Sequence, residues 1–375
     1  MNHKSFRCAW LLAGIAVMAA SGPRPLRADA QADPAKAATE ARLNRISAEL
    51  FSGTGSSDAA IRELKQILAI DPRAAEAHLL LGLAYRAQGS HDFVGEAVAE
   101  FRQALALNPS LVPARVYLAQ AYVDLGRPTR AREELEAALL QMPGNPQVMA
   151  LLGNVERQLK NPRRALELIG QALAADQSFA QARYYLGLTL RDLGRRDEAI
   201  REFERVKQSG AKVADVYLEL GAAYAEAGRF EEAAEILSQA THLDAVRPDV
   251  RIQLARAYRS TGLLDQAEQQ LKYAAPERAA TLIAARYVEF DLYLEWGLLR
   301  LQQGQHDAAV DAFKKALDLD PNHGPANRGI AEVYLAQGLY ALSLRHATLA
   351  EKLGFPLPEA KRALLKEKLR DKGVK

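Results

Sequence analysis

The sequence predicts an all-α solenoid of about nine helix-turn-helix repeats closed by a C-terminal capping helix, and three observations carry that prediction. The first is a period. Gly153, Gly187 and Gly221 stand 34 residues apart, and the same register runs back to Ala119 and on to Ala255 without an insertion. Self-similarity at such a period marks a repeat architecture, which has to be read before anything else. The second is a pair of small positions in each repeat. Each of these residues follows a leucine, at 118, 152, 186, 220 and 254, and a second small residue recurs 12 places on at Ala131, Ala165, Ala199, Ala233 and Ala267. Four places later comes a large apolar residue: Leu135, Ile169, Phe203, Leu237 or Leu271. The third is punctuation, with a glycine after each first helix and a proline after many of the second helices.

In chain order, repeats are expected at about 41–74, 75–111, 112–145, 146–179, 180–213, 214–247, 248–279, 290–323 and 324–357. Two helices joined by a short turn approach closely only where side chains are small. The larger residues then fill the space at i, i+3 and i+4. The turns read Leu-Gly-Arg-Pro at 125–128, Leu-Gly-Arg-Arg at 193–196, Ala-Gly-Arg-Phe at 227–230 and Thr-Gly-Leu-Leu at 261–264. Glycine just past a helix end supplies a left-handed cap. Second helices should stop at Asp71-Pro72, Asn108-Pro109, Met142-Pro143 and Asp320-Pro321, where proline cannot continue them. Three extra residues near 90–95 are expected to enlarge the turn of the second repeat. A register slip of eight residues points to a lengthened helix or a joint at 276–289. The first and last repeats are atypical, as capping repeats are. Residues 358–375 read as a capping helix and basic tail, with Ala360, Leu364, Leu365 and Leu369 available to cover the last repeat.

The best copies carry Leu81-Gly82, Tyr85, Ala97, Phe101, Ala104 and Pro109, and again Tyr293, Trp296-Gly297, Ala309, Phe313, Ala316 and Pro321. This pattern resembles the tetratricopeptide repeat, written W-x2-L-G-x2-Y, then A-x3-F, then P, over residues 41–357. The resemblance implies a right-handed superhelix whose first helices line a concave side. It also implies that the second, fifth, ninth, twelfth and thirteenth places of a repeat face a bound peptide. Those places select Arg86, Asn154, Arg157, Tyr184, Arg191, Arg256, Arg259 and Arg328. Guanidinium groups present forked donors to carboxylates, so the expected partner is a protein or peptide segment of acidic character. A merely solvated arginine surface is the other reading. The Lys and paired Asn with which some relatives clamp a terminal carboxylate are missing.

Residues 1–30 do not share this architecture. Lys4 and Arg7 precede an apolar run over 8–20, and Ala28-Asp29-Ala30 offers a cleavage site before Gln31. This reads as a secretory signal peptide, with 31–40 as a flexible leader, and places the protein in a periplasm or otherwise outside the cytoplasm. Membrane contact is then expected only through the signal segment or the basic tail. Cys8 is the sole cysteine, so the remainder has no thiol chemistry. Residues 1–30 hold four of the 49 Lys and Arg and one of the 46 Asp and Glu, which leaves 45 of each. Nucleic-acid binding domains are basic, so no nucleic-acid partner is expected.

No catalytic or metal pattern stands out: there is no His-Glu-x-x-His, phosphate loop, dinucleotide fingerprint or nucleophile elbow. No enzyme activity, cofactor or metal is therefore expected. The reading is a non-catalytic protein-interaction scaffold of the cell envelope. A structural adaptor of an exopolysaccharide or outer-membrane machine, and a polysaccharide-binding solenoid, are the alternatives; the oligomeric state is left open.

Overall fold

A computed structural model describes residues 34–88, 91–244, 247–274 and 285–371. Nineteen helices and no strand occur among these described residues. The chain divides into two compact units, Met1–Val216 and Tyr217–Lys375. Unit 1 contains α1 (Pro34–Ser52), α2 (Ser57–Ile70), α3 (Ala75–Ala87), α4 (His91–Leu107), α5 (Val112–Asp124), α6 (Pro128–Gln141), α7 (Pro146–Gln158), α8 (Pro162–Ala175), α9 (Ala180–Asp192) and α10 (Arg196–Gln208). The boundary falls within α11 (Ala214–Glu226). Unit 2 continues with α12 (Phe230–Leu243), α13 (Pro248–Ser260), α14 (Leu264–Tyr273), α15 (Ala285–Gln302), α16 (His306–Leu319), α17 (Gly324–Ala336), α18 (Tyr340–Lys352) and α19 (Glu359–Asp371).

From α1 to α10 in unit 1 and from α12 to α19 in unit 2 each helix packs on its neighbours in sequence, and first helices also touch the first helices of adjacent repeats, as in α1 with α3, α7 with α9 and α13 with α15. The close crossings lie where the sequence has glycine. A methyl group added at Gly82 or Gly187 would stand 2.6 Å from the ring of Phe101 or Phe203, and one at Gly153 would stand 2.6 Å from Ile169. Phe101, Phe203 and Ile169 are wholly buried. Bare backbone is therefore what lets each large residue of the second helix fill its own repeat.

The helix ends follow from the same local chemistry. Pro128, Pro146 and Pro162 start helices, where a missing N–H is no loss. The Asn145 side chain caps α7 by accepting from the backbone N–H groups of Gln147 and Val148, both at 3.0 Å. Gly194, at φ 73°, closes α9 with the Arg195 N–H donating to the Leu190 carbonyl at 2.9 Å. In the α7–α8 turn Lys160 adopts the same conformation, φ 63°, and the Asn161 N–H reaches the Glu156 carbonyl at 2.9 Å. A side chain there crowds its own backbone, so the turn geometry is imposed by the repeat rather than by the residue.

Three expectations are corrected. The stretch foreseen as a flexible leader is helical from Pro34 onward, because Ala35, Ala37, Ala38 and Ala41 favour helix. The extra residues of the second repeat extend a helix rather than a turn. The second helix α4 has 17 residues where α6 and α8 have 14. The last helix covers its repeat with Leu365 and Leu369, joined by Leu357, against Ala331 and Leu335. Leu364 points outward, 42% exposed, and Ala360 is exposed as well. Within the slip, α15 starts at Ala285 and runs for 18 residues, against 13 in α13; 275–284 lies outside the described residues, as do 1–33 and 372–375.

Unit 2 holds two polar knots. Glu268 on α14 takes hydrogen bonds from Arg300, in the last turn of α15, at 3.0 and 3.1 Å and from Gln303, just past that helix, at 3.2 Å. The bond from Lys272, then those from Arg300 and Gln303, hold its carboxyl down to about 2. The second knot is at the last full repeat. There the Ser343 hydroxyl, buried at a place where other repeats have alanine, donates to the Ala331 carbonyl at 2.7 Å.

In that knot Asn327 is buried and donates to the His323 carbonyl at 3.0 Å, while its Oδ1 accepts from His346 Nδ1 at 3.0 Å. His323 is held on two sides. Its ring meets Phe290 edge-on at 4.2 Å, and its Nδ1 caps α17 by accepting from the Ala326 N–H at 3.3 Å. Burial lowers the pKa of His323 against the opposing pull of Asp320 and Asp291. Burial, with Arg345 and Lys314, lowers that of His346. Folded values below the unfolded value mean stability that is present above the unfolded pKa of about 6.5 and lost as pH falls from there through the folded values, because the unfolded chain takes up the proton more readily. The thermal midpoint of unit 2 is therefore expected to drop between pH of about 7.5 and 5.5. The Glu268 carboxyl stays ionised throughout that range. A midpoint flat over this window, or an equal drop in His323→Asn with His346→Gln, would remove the two histidines as the cause.

Candidate functional site

The first helices of unit 1 bring their ninth, twelfth and thirteenth places to one face, because i, i+3 and i+4 share a side of a helix and the repeats stack in register. Arg86, in the last turn of α3, donates from Nε to Asp124 Oδ2 at 2.7 Å and from Nη1 to Gln120 Oε1 at 2.8 Å. Both acceptors are on α5, one repeat further on. Two repeats later the motif recurs. Arg157 on α7 donates from Nη1 to Asp192 Oδ2 on α9 at 2.7 Å, and from Nε and Nη2 to Asn154 Oδ1 at 3.2 and 3.1 Å. Each arginine thus joins its repeat to the next through a carboxylate and also grips an amide oxygen.

Beside these pairs lies a cleft of about 200 Å³. Arg86, Gln120, Asp124, Asn154, Gln181, Tyr184, Tyr185 and Asp215 give it its polar groups, and Val123, Leu151, Val155 and Val216 its apolar wall. Four successive first helices and the start of α11 contribute. Gln181 donates from Nε2 to the Tyr185 hydroxyl at 2.9 Å. The Tyr184 ring lies 5.9 Å from both Tyr185 and Phe203. Burial pushes the Tyr184 phenol up, and it pushes Tyr185 up to about 12 with the Gln181 bond opposing. Neither tyrosine is an acid or base near neutral pH; both are neutral polar surfaces.

Of the eight residues selected from the sequence, Arg86, Asn154 and Tyr184 line this cleft, and Arg157 is tied to Asn154 at its edge. Arg191 lies in the last turn of α9, where its charge bears on the Tyr184 phenol. In unit 2 Arg256 and Arg259 converge on a single carboxylate, Glu295, with Nε donors at 2.7 and 3.1 Å. Arg328 stands apart on α17, 3.8 Å from Glu332, which accepts from Lys361 at 2.6 Å. The residues missed were the partners: Gln120, Asp124, Gln181, Asp192 and Glu295. Asp124 and Asp192 are two periods apart, and Gln120 is one period before the selected Asn154, so the register carried the signal for Gln120, Asp124 and Asp192.

No group of three His, Cys, Asp or Glu side chains that could hold a metal ion occurs among the described residues. None of the helices among them is long and apolar enough to cross a membrane.

Two family models, each described as tetratricopeptide repeat, match the chain, one over residues 94–155, 224–286 and 300–343 and the other over 47–110 and 150–214. The chain belongs to the tetratricopeptide repeat family. No curated protein matches it. Among solved structures, a chain of the APC/C hetero-tetramer Cut9–Hcn1 superposes with a TM-score of 0.65 at 16% identity, over 82% of this chain and 58% of that one. The protein thus spans somewhat over half the length of that relative. A monomeric mutant of IFIT1 with Gppp-AAAA gives 0.58 at 15% identity, over 87% of this chain and 83% of that one. A tetratricopeptide repeat protein from Parabacteroides merdae gives 0.51 at 18% identity, over 70% of this chain and all of that one. At these identities the likeness is one of fold: an all-helical repeat solenoid. Tetratricopeptide repeat proteins bind peptide or protein partners, and the repeats of this chain support an interaction scaffold of that kind.

Proposed function

We propose that unit 1 holds an extended segment of a partner protein along its first-helix face, that the cleft around Asn154 is the anchor point, and that the protein does this in the cell envelope without catalysis. The observation that carries the reading is the convergence of four first helices on one cleft, two of whose amides, Gln120 and Asn154, are held by arginines. Solenoids work by presenting such a surface, because the stacked repeats consume the core and leave the face free. The envelope assignment rests on the signal-like residues 1–30.

A photo-crosslinking residue placed at Asn154, and separately at the exposed Glu133 of α6, tests the site in the producing cell. The expected result is one discrete adduct from Asn154, recovered with the envelope fraction on a chain that begins at Gln31. Adducts from Glu133 with none from Asn154 would move the partner surface to the second helices. Recovery from the cytoplasm with residues 1–30 attached would end the envelope assignment.

A further inference from the structure

We infer that the cleft of unit 1 takes a polypeptide segment whose anchoring side chain is uncharged, and that it discriminates against acidic segments despite the arginines around it. This rests on the reading that the first-helix face is the partner surface. It reverses what an arginine count suggests, and the reason is pairing. Arg86 is bound to Asp124 and Arg157 to Asp192, each at 2.7 Å. An incoming carboxylate would have to displace a tethered one that is already in place. The charged side chains lining the cleft are Arg86, Asp124 and Asp215, and Arg86 is already paired, so an incoming carboxylate finds no unoccupied cation in the lining. Bringing an ion out of water into a small, largely apolar space carries a further cost that only a dedicated partner offsets.

The amides are set for something else. Gln120 and Gln181 are each only 7% exposed. Arg86 donates to the Gln120 oxygen and Arg157 to the Asn154 oxygen, which leaves the NH2 groups of these two amides as donors. Gln181 is fixed the other way: its NH2 group donates to Tyr185, which leaves its oxygen as an acceptor. Donors and an acceptor spaced over successive helices suit an extended backbone, which offers both kinds of group from every residue. The volume, about 200 Å³, is below the roughly 300–1,000 Å³ of pockets that enclose a small molecule, and suits one inserted side chain. The arginines therefore act as positioning residues for amides, not as receptors for carboxylates.

The test is selection of a random eight-residue peptide library on the purified full chain, with the wild type, Asn154→Ala and the cleft-filling Val123→Tyr compared after each is shown to be helical. Retained peptides are expected to be depleted in Asp, Glu, Lys and Arg at one central place and to be lost from both variants. A labelled peptide from that pool should bind with less than about twofold change as salt rises from about 50 to about 500 mM, since no ion pair forms. The double variant Asp124→Asn, Asp192→Asn should gain about tenfold for an acidic octapeptide, the scale of one charge-assisted contact. A pool that depends on the cleft but is rich in charged residues overturns the selectivity while leaving the site standing. A pool indifferent to both cleft variants, or no retained pool, overturns the site and the selectivity together.

Discussion

Phe313→Ala is expected to destabilise unit 2 by about 3–5 kcal/mol, at the upper end for the loss of a buried aromatic. Phe313 is 0% exposed on α16, and its ring lies against two glycines at once. A methyl group added at Gly297 of α15 would stand 2.5 Å from the ring, and one at Gly329 of α17 would also collide with it. The ring thus joins the two helices of its own repeat to the first helix of the next. Large-to-small substitutions cost least where neighbours can collapse into the space, and neither glycine has a side chain to move. The void should therefore persist, and its cost should appear in full. Trp296 is the sole tryptophan beyond residue 10, and it packs within unit 2, so its fluorescence during urea unfolding reports this unit. A shift of the unfolding free energy below about 1 kcal/mol would mean that α15 and α17 close on each other without the ring.

That triple contact shows how much of the fold could be read in advance. A 34-residue register of small and large residues determines which helices cross and where, since a glycine opposite a phenylalanine is one packing event written at two places in the chain. Departures were harder to place. Extra residues can enter a turn or lengthen a helix at almost equal cost to the pattern, and in the second repeat they lengthen α4. For the candidate site the positions were legible but their state was not. Spacing puts Arg86, Asn154, Arg157 and Tyr184 on the first-helix face. Whether a guanidinium there waits for a ligand depends on what stands one repeat further on, and on a distance of 2.7 Å that composition does not contain. Arg157 and Asp192 are 35 residues apart and become neighbours only when repeats stack.

Glu295→Ala is the complementary experiment in unit 2, where the same chemistry has a different stoichiometry. Here one carboxylate, 2% exposed, serves two guanidinium groups, Arg256 and Arg259 of α13. Asp291, a turn earlier on α15, is part of the same neighbourhood: burial raises its pKa, Arg256 pulls it down and Glu295 adds to the rise. Removing Glu295 leaves two cations partly withdrawn from water with one partner gone. The expected loss is about 3 kcal/mol, the low end for one member of a buried pair, because a third of the Arg256 side chain remains exposed. Glu295→Gln should lose about half as much, since an amide oxygen can still accept one of the two bonds. The control that separates attraction from mere occupancy is Arg256→Met, Arg259→Met, Glu295→Leu. Replacing a buried ionic cluster by apolar residues of similar volume is often neutral or stabilising, so this variant should recover most of the loss. If it is as unstable as Glu295→Ala, the cluster sets the α13–α15 geometry through its hydrogen bonds, and packing alone does not reproduce it. Recovery would instead mean that the carboxylate chiefly neutralises the two arginines, as Asp124 and Asp192 do for theirs in unit 1.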